Sequence, residues 1–242
     1  QAGATAPATL AGFLAQSLAE TLASLVVVNV LSPGFPMVFS NWPFVIDLRS
    51  GAFAGGGGET ALLNAASAQL SNWLGLPSGV ASSMTDAKAI DAQYGVEKGM
   101  TSLAAALAGG NLIYESSGMT AALLGVSFEA FILDNEMHAM TYRALRGVEV
   151  SDDNLDFVAI RDAVLGEGHF LGASQTYDAM ERDYYYPKLA DREQPSVWAE
   201  TGAGDAWGRA RAQARLILEE HHPTYLSRAQ DEAMRAAFRI LS

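Results

Sequence analysis

The chain has 242 residues, half of them apolar and 17% charged, which excludes wholesale disorder and leaves room for one large domain with a sizeable core. With 27 Asp/Glu against 15 Lys/Arg the net charge is −12, which argues against a nucleic-acid backbone or an anionic membrane surface as the main partner. Cysteine is absent, so disulfides, thiolate nucleophiles and cysteine metal sites are excluded, and nothing reports the redox compartment.

The first basic residue is Arg49, so the N-terminal stretch lacks the positive region of a signal peptide. Leu10, Leu14, Leu18, Leu22 and Leu25 repeat at helical spacing and predict an amphipathic helix over 9–31. Gln16, Ser17, Glu20, Thr21, Ser24 and Asn29 interrupt that stretch, which argues against a membrane span; a cytoplasmic protein is expected. Pro33-Gly34 ends the helix, and Pro36 to Phe39 reads as a short strand running into Ser40-Asn41. Leu62, Leu63, Ala66, Leu70 and Trp73 mark a second helix stopped by Gly75, followed by a strand at 78–81. A third helix (90–108) ends at Gly109-Gly110, and a third strand spans 111–114. Ser127 is a natural N-cap for a helix ending near Gly147.

Strand starts near 36, 78 and 111 have βα-unit spacing, and short strands without strict alternation fit parallel strands covered by helices. The class is therefore α/β, with a barrel and an open sheet both compatible. Three strands, with a fourth near Val148 or Phe170, are too few to close a barrel, so the chain reads as part of one. Beyond residue 150 the charge density rises, and helices over 203–220 and 226–241 flank His221-His222-Pro223. Their alternating charges read as a solvated face, and the region as a helical C-terminal extension.

In parallel α/β folds functional side chains follow the carboxyl ends of strands. That rule selects Ser40-Asn41-Trp42, Ser82 to Asp86, and Tyr114 to Ser117. Two carboxylates stand there in a charge-poor half, Asp86 and Glu115; either could hold a cation, act as a base or cap the next helix. His169, in Gly166-Glu167-Gly168-His169-Phe170, is free of helix packing and could enter a cleft, whereas His138 lies inside a helix and reads as structural. Adjacent His221 and His222 point apart, and no zinc-type histidine pair exists. The run Gly55 to Gly58 lacks both nucleotide-binding glycine patterns and is followed by Glu59, so close packing or loop mobility explains it better than a phosphate. No G-x-S-x-G elbow occurs. Trp42, Phe44, Tyr94 and Tyr114 flank the strand ends, with Tyr184 to Tyr186 further on. Aromatic faces plus one carboxylate suit a quaternary ammonium, which offers no hydrogen-bond donor; core packing is the plain alternative for each ring.

The runs 3–12, 58–66, 79–86, 108–115 (Ala-Gly-Gly-Asn-Leu-Ile-Tyr-Glu), 146–150 and 169–172 (His-Phe-Leu-Gly) resemble the trimethylamine methyltransferase family, including its glycine-betaine-type members without pyrrolysine. The resemblance covers 1–190, in order and with compatible spacing. It implies that 1–190 is the C-terminal half of a (β/α)8 barrel, with 191–242 as the helical extension. It also implies methyl transfer from a methylated amine to the Co(I) corrinoid (cobalamin) of a separate carrier protein, with no cofactor bound tightly by this chain. On that reading Glu115 and the aromatics Trp42, Tyr94 and Tyr114 hold the cation, Asn41 and Asp86 line the pocket, and His169 closes it. Pyrrolysine is absent from the sequence, which favours a quaternary amine such as a betaine; Arg49 or Asn41 would meet its carboxylate. Two other classes remain open: a barrel enzyme using Asp86 and Glu115 to bind a divalent metal, and a non-catalytic half-barrel that binds a partner. A homo-oligomer is expected, and in the half-barrel reading an open sheet edge with apolar faces would promote it.

Overall fold

A computed structural model of the chain describes residues 1–240. Helix α1 (Leu10–Leu31) is followed by strand β1 (Phe39–Asn41) and a small antiparallel pair, β2 (Val45–Ile46) and β3 (Phe53–Ala54). Then come α2 (Gly58–Trp73), β4 (Ser78–Ala81), α3 (Ala92–Leu107) and β5 (Leu112–Tyr114). A second antiparallel pair, β6 (Met119–Thr120) and β7 (Gly125–Val126), leads into α4 (Phe128–Leu145). The rest is helical: α5 (Asp152–Leu155), α6 (Phe157–Leu165), α7 (Ser174–Arg182), α8 (Pro195–Glu200), α9 (Ala206–Glu220) and α10 (Arg228–Ala237).

The class is α/β with a parallel sheet. Strands β1, β4 and β5 are neighbours in that order, with Ser40 opposite Gly79, and Gly79 opposite Leu112. Because side chains alternate along a strand, this register sorts them into two sets. Val80 and Ile113 face the helices, packing with Ala68 of α2 and Ala105 of α3. Gly79, Ala81 and Tyr114 belong to the opposite face, and a Cβ on Gly79 would strike the Tyr114 ring. The helices are layered in chain order, α1 on α2, α2 on α3, α3 on α4, and α9 on α4. Alanines at 68 and 105, both fully buried, let α2 and α3 approach closely.

The leucine repeat of α1 is half-buried toward α2, where Leu10, Leu14 and buried Phe13 meet Leu63. Apolar residues continue around the helix, however, and Val26, Val27, Val30 and Leu31 are exposed. By length and composition alone α1 would suffice to cross a membrane, which the interrupting polar residues had argued against.

Several boundaries move for identifiable reasons. The first strand begins at Phe39 rather than Pro36, since proline has no amide to give a ladder and pairing starts with the Phe39 N–H donating to the Pro77 carbonyl at 2.7 Å. No strand forms at Val148 or Phe170. Both lie in irregular, exposed segments: Val148 follows Gly147 (φ +69°), whose left-handed backbone ends α4, and Phe170 lies in the loop after the Gly166 cap of α6, past the left-handed Gly168 (φ +75°). Ser127 caps α4 as expected, its hydroxyl accepting from the Ala130 N–H at 3.3 Å. The helix expected over 226–241 ends at Ala237, and position 241 lies outside the described residues.

Candidate active site

The carboxyl ends of β1, β4 and β5 meet in one place. The Trp42 and Tyr114 rings pack with centroids 5.4 Å apart at 38°, Phe44 stands edge-on to Trp42, and Phe53 lies against Phe44 at 4.7 Å. Tyr114 is fixed from below, because its ring occupies the space a side chain at Gly79 would need. Trp42 remains 41% exposed, so the aromatic group opens to solvent rather than closing into a core.

Two neighbouring strands then leave the sheet through left-handed residues that are not glycine, Ser83 (φ 62°) after β4 and Glu115 (φ 57°) after β5. Each such residue costs about 1–2 kcal/mol, so the surroundings must impose it. Ser82 donates to the Thr101 carbonyl at 2.7 Å, while the buried Ser83 hydroxyl has no protein partner among the described residues. Glu115 is half-buried, and its carboxylate makes no hydrogen bond or ion pair among the described residues.

Asp86 is not free in the same way. Its carboxylate accepts from the Gly55 N–H at 2.8 Å and the Gly56 N–H at 3.3 Å, tying the glycine run to the end of β4. A Cβ at Gly56 would collide with the Glu97 carboxylate, so these glycines serve close packing, and Glu59 occupies the first turn of α2. Glu97 in turn accepts from the Thr85 hydroxyl (2.7 Å) and the Asp86 N–H (2.8 Å).

Beside β5, Lys98 and Asp134 form a 2.7 Å ion pair with side chains 0% and 1% exposed. Asp134 also accepts from the Tyr94 hydroxyl (2.5 Å) and the Gly118 N–H (2.7 Å). The Ser116 carbonyl accepts from Lys98 Nζ (3.4 Å) and from His138 Nε2 (3.2 Å), which places the histidine proton on Nε2. Burial pulls the Lys98 ammonium below its ordinary value, opposed by the Asp134 charge, and burial likewise lowers His138. Burial, with the Asp134 charge second, pushes the Tyr94 phenol far above its ordinary range.

The expected site is therefore only partly assembled. Trp42, Tyr114 and Glu115 share the strand ends. Asn41 lies on the helix side of the sheet and donates to Ser67 of α2 at 2.8 Å, because alternation turns it away from Trp42. Arg49 sits on the exposed loop after β2, in a bidentate pair with Asp47, whose carboxyl it holds well below the usual range. Tyr94 is buried between α3 and α4, not among the strand-end rings. His169 is exposed, 3.5 Å from Glu167, in the loop between α6 and α7. Its neighbour Phe170 lines a cavity of about 630 Å³ with Tyr184, Tyr186 and Arg143, by the C-terminal end of α4 rather than the strand ends.

Glu97, Lys98 and Asp134 were missed by the reading of single residues, yet a signal existed. Lys98 lies four residues after Tyr94 and three before Thr101, on the buried stripe of α3, and Asp134 lies midway between Ala130 and His138 on α4. A charge on each of two buried stripes calls for a partner.

Residues 1–239 match the model of the trimethylamine methyltransferase (MTTB) family, so the likeness continues beyond residue 190 through α9 and α10. The chain is 34% identical over 235 residues to the glycine betaine methyltransferase of Desulfitobacterium hafniense (strain Y51), covering 97% of this chain and 49% of that protein. It is 35% identical over 223 residues to the trimethylamine methyltransferase MttB of Methanosarcina barkeri, covering 92% and 44%. Against MttB2 of Methanosarcina mazei it is 36% identical over 220 residues, covering 90% and 44%. The chain thus spans about half the length of the curated relatives it matches.

Proposed function

Because the chain belongs to the trimethylamine methyltransferase family, we propose that it holds the substrate in a methyltransferase moving a methyl group from a methylated or quaternary amine to the Co(I) corrinoid of a separate carrier protein. The observation that carries this reading is the Trp42–Tyr114 pair at the strand ends, followed directly by Glu115, a carboxylate without a protein partner among the described residues. A quaternary ammonium has no N–H to offer, so it is recognised by ring faces and a negative charge, each ring contributing about 0.5–2 kcal/mol.

The corrinoid supplies a strong nucleophile when its carrier docks, and the residues of this chain fit that division of labour: rings and a carboxylate stand at the strand ends. Tyr114, pinned over Gly79, fixes the orientation of the ammonium so that one methyl points outward, and the exposed Trp42 edge shields the remaining methyls from water. Glu115 balances the positive charge of the ammonium while it is bound, and so acts in holding the substrate. Asn41 and Arg49 are committed to Ser67 and Asp47, so a betaine carboxylate takes its donor from elsewhere.

The parallel strands in chain order under a chain-ordered helix layer support the further reading of a (β/α)8 barrel sector. A homo-oligomer and a cytoplasmic location belong to the same proposal, the former supported by the exposed valines of α1. The test has two parts. Reduced cobalamin, the carrier and a panel of methylamines and betaines are mixed with the full reading frame that carries this chain, and an amine-dependent change in the visible spectrum is expected; none with any amine refutes the activity. Glu115→Gln is expected to weaken glycine betaine binding more than about tenfold by calorimetry, worth ~1.4 kcal/mol. Unchanged affinity removes Glu115 from the cation site.

A further inference from the structure

We infer that Lys98 and Asp134, seconded by Glu97, are positioning residues that set the two strand-end loops of the proposed amine site. What those loops bind rests on the function proposed above; what holds them is read from geometry alone.

Glu115 sits in a left-handed conformation that its own side chain does not stabilise. The next residues are gripped from the helix side. Lys98 and His138 converge on the Ser116 carbonyl, and Asp134 takes the Gly118 N–H at 2.7 Å. Fixing residues 116 and 118 fixes the turn that presents Glu115. An ion pair as deeply buried as Lys98–Asp134 is a poor device for stability alone, since apolar residues of similar size serve as well. The hydrogen bonds this pair makes beyond itself run to the loop and to Tyr94, which is what a device for conformational specificity requires.

The preceding residue of α3 does the same for the adjacent strand. Glu97 accepts from Thr85 and from the Asp86 N–H, and Asp86 holds the Gly55 N–H. Consecutive residues of one helix point about 100° apart, so Glu97 and Lys98 reach loops on neighbouring strands, β4 and β5, whose last residues Ala81 and Tyr114 are paired. One helix thereby sets both left-handed exits from the sheet, and their relative placement follows the rotation of α3.

The test replaces the pair with apolar residues, Lys98→Met with Asp134→Leu, and uses Asp134→Asn as the milder variant. Amide hydrogen exchange is followed at residues 116–118, and the effect of Glu115→Gln on glycine betaine affinity is measured in each background. The double variant is expected to exchange at least about tenfold faster at Gly118, with the middle of α2 unchanged. The penalty of Glu115→Gln is expected to shrink from more than tenfold to less than about twofold. A merely structural pair would leave that penalty intact whatever its replacement does to overall stability, so a folded variant with unchanged exchange and an unchanged penalty overturns the inference. If the double variant does not fold, Asp134→Asn is judged by the same two readouts. If the parent protein binds no methylated amine, the proposed function fails, and hydrogen exchange alone still decides whether the pair holds the loop. Glu97→Ala should accelerate exchange at Gly55 and Asp86 and leave Gly118 alone; no acceleration removes Glu97 from the inference.

Discussion

Replacing Gly118 by alanine isolates how tightly the Glu115 loop is packed. Gly118 has φ +77°, and a Cβ there would fall among three carbons of the Phe131 ring. The left-handed backbone alone costs an alanine about 1 kcal/mol. Overpacking of a filled site adds about 1–3 kcal/mol. Phe131 is 44% exposed and can swing partly outward, so the clash should sit near the lower end of that range. The expected loss is therefore about 2–3 kcal/mol in urea unfolding. Gly147→Ala is the internal reference, because Gly147 has nearly the same backbone (φ +69°) with no atom within 4 Å of the new Cβ. It should lose only about 1 kcal/mol. Trimming the ring as well, in Gly118→Ala with Phe131→Ala, should recover the difference between the two single variants relative to Phe131→Ala. Equal losses for Gly118→Ala and Gly147→Ala would mean that Phe131 does not press on the loop, and the packing account would be wrong.

Glu136→Ala removes a buried carboxylate that accepts from the N–H groups of Lys188, Leu189 and Ala190 at 2.6–3.0 Å. About 2–3 kcal/mol should be lost and the 188–190 segment should become a protease target; a loss under ~0.5 kcal/mol would show that the segment is held otherwise. The His138 pKa is lowered by burial from 6.5, so the unfolded chain binds the proton more readily than the folded one. The stability this contributes is present above pH 6.5 and is lost as pH falls from there through the lower folded value. Unfolding midpoints of the parent and of His138→Gln, measured between pH 7.5 and 5, should converge on acidification; parallel curves would refute the assignment.

The regular layers were legible because their signals are local. Strands at 78–81 and 112–114 are short apolar runs bounded by turn residues, and the Ser127 cap lies one residue ahead of its helix. The helices between 152 and 182 escaped because none exceeds 9 residues, too short for a periodic pattern to stand out. At the site, Trp42, Tyr114 and Glu115 followed from the strand-end rule, which needs only the strand positions. The same rule also selected Asn41, which the register turns to the helix side, and Tyr94 proved to lie between helices, because which side of a strand or helix a residue occupies depends on register. The Lys98–Asp134 pair spans 36 residues, and no local window contains both partners. His169 carried a family-like run but sits in a loop whose placement depends on packing beyond residue 150.

The chain-ordered stacking of the helices has a consequence for synthesis on the ribosome. Each of α1 to α4 meets its packing partner as the next element emerges, so most of the layer can assemble behind the exit tunnel without waiting. Glu136 is the exception: its backbone partners lie 52 to 54 residues downstream, which at ~5–20 residues per second is a delay of about 3–10 s. Helix α4 also awaits α9, whose buried Ala210 and Ala214 arrive later still. During that interval the nascent chain carries the β1, β4 and β5 strands paired, with the side of α4 that meets α9 uncovered. A chaperone or neighbouring nascent chain would find its opening there, on the face that residues 188–220 eventually close.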